Sequence, residues 1–328
     1  MIHLSVPVAE FFGAGTCGKY LLREFAKRGA VSCDPMGDNS LADPDTQALL
    51  AKHLAPLAAD VDAPLIQFAG PELNQQTKYR GHPNVGYVFS EWEPITEQQR
   101  ENLRAFDVLV AGSTWNANVI RAAGFECAAV PQGVDREIFR PGERARLKDD
   151  FVIYSGGKFE HRKAQDLVIR AVKILQQRHQ DILLVASWFN IWENDYHYAD
   201  AKRAGLRFVT LPLMVHAELA AHMNQTDVGL FPNRCEGGTN LMLMDYLACG
   251  KPVVANVSTG QRDVLDTDYA FCIEGRDDEL VEQMVNSVEQ LYRHRDVLKD
   301  MGRAADGAMN DWPWSRTADG LEASIAAT

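Results

Sequence analysis

The amino-acid sequence predicts an α/β protein of two Rossmann-like domains, each a parallel sheet covered by helices on both faces. Three observations carry this. Short, continuously apolar runs alternate with longer amphipathic ones through the 328 residues, the pattern of buried strands between covering helices. The rhythm stops and restarts once, across the polar stretch Arg136–Asp150. Glycine-rich turns stand where strands give way to helices, which is where open α/β sheets bind ligands.

In chain order, Ile2–Val8, Pro64–Ala69, Val85–Ser90, Val108–Ala111 and Cys127–Pro131 read as strands of the first domain. Lys19–Arg28, Thr96–Ala105 and Asn116–Ala123 carry apolar residues at helical spacing between them. The second series has strands at Phe151–Ser155, Ile182–Ser187, Arg207–Leu211, Val228–Phe231, Pro252–Asn256 and Ala270–Ile273. Its helices are Ala164–Arg178, Ala217–Asn224, Leu241–Ala248 and Asp278–Arg293. The rhythm puts the expected domains at 1–145 and 146–311; that a C-terminal helix at about 312–328 joins the first is implied by a family resemblance and not by the rhythm.

Composition narrows the function classes. Lys plus Arg total 33 against 45 Asp plus Glu, a net charge of −12, which argues against broad nucleic-acid binding. Six cysteines are scattered without zinc spacing, as expected of reduced thiols in a cytoplasmic protein. No signal peptide and no run long enough to cross a bilayer is visible. Peripheral membrane contact stays open, and oligomeric state is not legible.

Three segments carry chemistry. Gly13-Ala14-Gly15-Thr16-Cys17-Gly18 matches G-x-G-x-x-G, a loop that lets a diphosphate approach a helix start. The preceding strand is expected to end near Val8 and Asp34 to lie in a loop, which weakens a dinucleotide-binding reading. Ser155-Gly156-Gly157-Lys158 followed by Glu160-His161-Arg162-Lys163 reads as a turn that gathers Lys158, Arg162 and Lys163 at a strand's C-terminal end, suited to a diphosphate. In Asn233-Arg234-Cys235-Glu236-Gly237-Gly238-Thr239-Asn240-Leu241 a strand runs through a Gly-Gly-Thr turn into a helix, with Thr239 expected as its N-cap. Amides at that helix start suit phosphate oxygens. Glu236 is placed for sugar hydroxyls, and Asp245, further along the helix, for a ribose.

These segments resemble the retaining GT-B glycosyltransferases of the group-1 (GT4) family. Gly157-Lys158-Phe159 stands at the family's GRL position and Lys163-Ala164 at its K-G position, with Lys158 in place of arginine. Glu236 and Asp245 match its paired acids, with aspartate in place of the second glutamate and eight residues between rather than seven. Pro131-Gln132-Gly133-Val134-Asp135, Gly112-Ser113-Thr114-Trp115 and Trp312-Pro313-Trp314-Ser315 resemble further family segments, so the likeness touches nearly the whole chain. The family's N-domain histidine is not obvious. Ser90 or Glu91 of Gly86–Glu93 stands in that region, and His82 is a weaker candidate.

The resemblance implies two Rossmann-like domains facing across a cleft that holds a nucleoside diphosphate sugar. It implies transfer to a glycan, lipid-linked or small-molecule acceptor with retained configuration, without a cofactor or metal. Lys158, Lys163, Glu236 and Glu91 are the expected catalytic set. Gly13, Gly15, Gly18, Gly157, Arg162, Gly237, Gly238, Thr239, Asn240, Leu241 and Asp245 are expected at the donor. UDP is the first expectation for the nucleotide and GDP the second. Rival readings on the same residues are an NAD-dependent oxidoreductase using Gly13–Gly18, a sugar-nucleotide epimerase, a non-enzymatic sensor and an inactive homologue.

Overall fold

The computed structural model describes residues 1–29, 31–40, 42–145, 150–190 and 196–328. The expected linker's residues 146–149, where the expected boundary falls, lie outside them. The chain divides into two compact units. Unit 1 collects residues 1–133, 237–239 and 313–328; unit 2 collects 134–236 and 240–312.

Unit 1 runs β1 (Ile2–Ser5), α1 (Gly13–Arg28), β2 (Val31–Cys33), α2 (Pro44–His53), β3 (Asp60–Val61), β4 (Leu65–Phe68), β5 (Arg80–Gly81) and β6 (Asn84–Val88). It continues with α3 (Glu97–Leu103), β7 (Val108–Ala111), α4 (Thr114–Ala122) and β8 (Ala128–Ala129). Six strands pair in parallel in the order β2-β1-β4-β6-β7-β8, and β3 pairs with β5. The central strands β4 and β6 are buried at every residue, which is why they lack alternation in the sequence. The C-terminal helix, counted below as α11 (Trp314–Ala326), lies on α1: Trp314 stacks on Tyr20 at 4.9 Å, and Thr317 Oγ1 donates to the Pro131 carbonyl at 2.9 Å.

The glycine segment departs from expectation. Gly13–Gly18 is not a loop but the first turns of α1. A Cβ at Gly18 would stand 1.9 Å from the Pro7 carbonyl oxygen, and one at Gly15 would stand 2.8 Å from Ala9 Cβ. Those two glycines let the helix close on the chain leaving β1, while Gly13 faces open space. Asp34 also departs, since β2 ends at Cys33 and Asp34 follows a second strand directly. At three residues, β2 is too short to announce itself by pattern. Beneath the helix, Lys19 is fully buried between Glu10 at 2.6 Å and Asp43 at 2.8 Å. Burial works to raise the Asp43 carboxyl, but hydrogen bonds from Lys19 and Thr46 overcome it and hold the group well below the usual carboxylate range.

Unit 2 runs β9 (Phe151–Lys158), α5 (Gln165–Arg178), β10 (Ile182–Phe189), α6 (Tyr196–Arg203), β11 (Phe208–Thr210), α7 (His216–Met223) and β12 (Val228–Phe231). Then come α8 (Leu241–Ala248), β13 (Val253–Asn256), β14 (Ala270–Ile273), α9 (Asp277–Arg293) and α10 (Arg295–Ala308). Its strands are parallel in the order β11-β10-β9-β12-β13-β14. One apolar core gathers α5 and α9, the other α7, α8 and α10. Burying both faces of β9, β10, β12 and β13 makes the carboxyl ends of these strands the place where polar side chains collect.

Candidate functional site

The basic segment belongs to β9 further than expected. Gly156, Gly157 and Lys158 are still strand, because β10 runs on beside them and pairs Phe189 with Lys158. A Cβ at Gly156 would meet the Tyr154 hydroxyl at 2.5 Å, and Gly157 has φ +120°, so glycine is needed at both. The turn comes after Lys158, as a single 3-10 turn at His161–Lys163. Ala164 leaves it in the left-handed region at φ 57° and opens α5, and this is the position where the family carries glycine. Gln165, the first residue of α5, donates to the Lys158 carbonyl at 2.7 Å and ties the strand end to the helix.

That turn delivers its cations to one carboxylate. Lys163 Nζ stands 2.5 Å from Glu236 Oε1, and Arg162 Nη1 stands 3.2 Å from Oε2. Asn233 donates its amide to the same carboxylate. Burial works to raise the Glu236 carboxyl. The charges of Lys163 and Arg162, with hydrogen bonds from Lys163 and Asn233, outweigh it and hold the group below its ordinary value. Lys158 faces a different acid, with Nζ 3.0 Å from Glu160 Oε1, while Arg162 Nε meets Glu160 Oε2 at 2.9 Å. Three cations and two carboxylates therefore meet in a network that carries one net positive charge.

Main chain fixes Glu236 from both sides. Its N–H donates to Thr259 Oγ1 at 2.7 Å, and its carbonyl accepts from the Gly260 N–H at 3.0 Å. Arg234, not singled out from the sequence, locks the facing turn. Its N–H donates to the Arg162 carbonyl at 2.7 Å, and its guanidinium donates to the His161 carbonyl at 2.6 Å. The same guanidinium grips Asp166 at 2.7 Å and Asp277 at 2.9 Å, one acid in the first turn of each of two helices.

The helix after Glu236 starts at Leu241, as expected, but its cap differs. Asn240 rather than Thr239 is its N-cap, held at φ 66° with its side chain donating to Gln261 Oε1 at 3.1 Å. Thr239 is fully buried and Leu241 half-buried. Asp245 is buried on α8 near Tyr154 and Cys249, the groups whose ionisation its charge opposes. In unit 1, Glu91 is exposed after the end of β6. Ser90 is spent on its own turn, with Oγ 3.2 Å from the Trp92 N–H. His82 sits at the opposite end of β6, on the surface, 2.7 Å from Asp60.

Residues 149–294 match the family model described as glycosyl transferases group 1. This segment is a group 1 glycosyltransferase domain. It contains Lys158, Arg162, Lys163, Glu236 and Asp245. A D-inositol 3-phosphate glycosyltransferase from Paenarthrobacter aurescens is 30% identical over 207 residues, covering 57% of this chain and 48% of that one. A GDP-mannose-dependent alpha-(1-6)-phosphatidylinositol monomannoside mannosyltransferase from Mycolicibacterium smegmatis is 27% identical over 201 residues, covering 56% of this chain and 52% of that one. The chain thus spans about half the length of the curated relatives it matches. The solved structure of sucrose-phosphate synthase from Thermosynechococcus elongatus superposes with a TM-score of 0.73 at 16% identity, over 100% of this chain and 99% of that one. The fold is the GT-B fold of that enzyme.

Among the described residues no helix is long and apolar enough to cross a membrane.

Proposed function

We propose that the chain transfers a sugar from a nucleoside diphosphate sugar to an acceptor hydroxyl with retained anomeric configuration. The observation that carries this reading is the Glu236 carboxylate, buried and held by Lys163, Arg162 and Asn233, inside a group 1 domain. In the transfer, the bond from the sugar's anomeric carbon to the donor phosphate breaks. A bond from that carbon to the acceptor oxygen forms on the same face, and the acceptor proton leaves on the released diphosphate. Lys163, Arg162 and Lys158 supply positive charge as the diphosphate becomes a leaving group, which is electrostatic stabilisation by preorganised donors without a metal. Glu236 orients the sugar through its hydroxyls, and Asp245 accepts from the ribose.

UDP is proposed as the nucleotide first and GDP second. The relative named for GDP-mannose keeps the second in contention. Calorimetry with UDP and GDP on the wild type and on Lys163→Ala tests the reading. Loss of one charged hydrogen bond should weaken whichever nucleotide binds by roughly ten- to a hundredfold. Binding of neither nucleotide, or an unchanged affinity in Lys163→Ala, overturns it.

A further inference from the structure

We propose that Thr259 is a positioning residue for the transfer. Its hydroxyl holds the main chain of Glu236 so that the carboxylate keeps its aim at the donor sugar, a role that rests on the donor reading above.

The sheet brings the two segments together. β12 and β13 pair in parallel, Phe231 with Ala255, so the chain running on to Glu236 and the chain running on to Thr259 emerge side by side. Thr259 opens the 3-10 turn Thr259–Val264 with φ 43°, and among the described residues it is the one β-branched side chain in the left-handed region. Glycine adopts that conformation readily, whereas a branched Cβ crowds the backbone there. What glycine lacks is a hydroxyl, and this hydroxyl is used. Thr259 Oγ1 accepts from the Glu236 N–H at 2.7 Å, while the next amide, that of Gly260, donates to the Glu236 carbonyl at 3.0 Å. Strain of this kind persists only where the surroundings over-determine it, and it gathers where geometry serves chemistry.

The surroundings here do so. Ser258 Oγ donates to the Asn233 carbonyl at 2.6 Å, and Asn256 Nδ2 donates to the same oxygen at 3.0 Å. The fully buried Gln261 donates to the carbonyls of Phe231, at 3.3 Å, and of Asn256, and accepts from the Asn240 side chain at 3.1 Å. Residues 256–261 thus grip the neighbouring chain at Asn233, at Glu236 itself and at Asn240. Gly237 and Gly238 follow Glu236 directly, and two glycines give its main chain little stiffness of their own. Lys163, Arg162 and Asn233 hold only the carboxylate end. When a diphosphate engages those cations, the braced main chain keeps the carboxylate directed at the sugar.

The test is calorimetry of UDP against UDP-glucose and of GDP against GDP-mannose, on wild type, Thr259→Val, Thr259→Ser and Glu236→Gln. Thr259→Val keeps the branched shape and loses the hydroxyl. It should weaken the nucleotide sugar by about tenfold and hold the free nucleotide within about twofold. Thr259→Ser should recover most of the loss. Because the hydroxyl acts through Glu236, adding Thr259→Val to Glu236→Gln should cost less than about twofold beyond the single change. Should Thr259→Val not fold, Thr259→Gly removes the same hydroxyl at a φ that glycine adopts freely, with the same expectation. Binding of neither nucleotide to wild type, or a nucleotide sugar unaffected by Glu236→Gln, overturns the donor reading and this inference together. With Glu236→Gln behaving as proposed, four results overturn the role of Thr259 alone: unchanged nucleotide-sugar binding in Thr259→Val, equal losses of nucleotide and nucleotide sugar, no recovery in Thr259→Ser, or additive losses in the double variant.

Discussion

Lys163 Nζ lies 2.5 Å from Glu236 Oε1, with the two side chains only 12% and 8% exposed. A buried ion pair of this kind gains Coulomb energy and loses hydration in comparable amounts, so its value for stability is modest unless one partner is removed. Its value for chemistry is different. Glu236 also faces Arg162, so one carboxylate keeps two cations in a fixed geometry at the end of β9. Under the proposed function, a diphosphate arriving there would meet cations already desolvated and aimed, and the carboxylate would be left to turn toward the sugar.

That arrangement separates the two acids of the site. Glu236→Gln should leave UDP or GDP affinity nearly intact, because Lys163, Arg162 and Lys158 remain to bind the diphosphate. Transfer should fall by at least ~tenfold in kcat/KM, through lost contacts to the sugar hydroxyls. Asp245→Asn should instead weaken the free nucleotide by about tenfold, the cost of one charged hydrogen bond to the ribose. Nucleotide affinity and transfer rate measured side by side decide between them. An equal loss of nucleotide affinity in both variants would mean that the two acids are wrongly placed along the donor.

The sequence made the sheet strands more legible than the contacts of the site. β7, β12, β14 and α8 stand at the residues expected, since a continuous apolar run between polar turns admits few other readings. α2 escaped because only Thr46 and Leu50 of its ten residues are buried, too few to show a period. α10 escaped because it follows α9 with His294 alone between them, so no turn signal marks the break. Glu236, Lys163 and Arg162 were each named from the sequence, yet their mutual contact was not: 73 residues separate Lys163 from Glu236. Arg234 was missed altogether. Its side-chain contacts bring together His161, Asp166 and Asp277, and no local pattern distinguishes such a clamp from a solvated arginine.

Arg234 should matter to the diphosphate without touching it. Asp166 first, and then Asp277, keep its guanidinium firmly charged against the effect of burial. Arg234→Lys retains the charge but loses the planar fork that reaches two acids and a carbonyl together. The His161–Lys163 turn should loosen, and UDP or GDP should bind about tenfold more weakly while UMP or GMP, with one phosphate fewer to grip, loses less. Asp277→Asn, a surface change, should do the same more mildly. Equal losses for mono- and diphosphate would argue that Arg234 serves the fold alone.

The glycines of α1 divide by mechanism. Gly18→Ala places a methyl 1.9 Å from the Pro7 carbonyl oxygen, so helix and loop must part. Overpacking of this kind costs roughly 1–3 kcal/mol or more. Gly13→Ala meets nothing within 4 Å and sits at a helical position, where alanine gains about 0.5–1 kcal/mol over glycine. Urea denaturation of both variants should therefore give shifts of opposite sign. A Gly18→Ala protein as stable as wild type would remove the packing explanation for that residue.

The pH dependence of stability follows from the sign of the Glu236 shift. Burial pushes this carboxyl up, but Lys163 and Arg162 pull it further down, so its folded value lies below the ordinary 4.5. As pH falls, the unfolded chain takes up this proton before the folded one does. The stabilisation is therefore fully present above the ordinary value and drains away as pH drops through the lower, folded one. Glu236→Gln has no such proton to bind. Wild type should be the more stable protein at pH 7, because the variant leaves Lys163 and Arg162 without their shared carboxylate. Below about pH 4.5 its stability should fall more steeply than the variant's, and the gap between them should close. Carboxylates outside this network are common to both proteins and cancel in the difference, while Glu160, which shares Arg162 with Glu236, is coupled to the change. Urea midpoints at pH 7, 5, 4 and 3.5 measure it, and two parallel curves would show that the Glu236 ion pairs contribute nothing to the folded state.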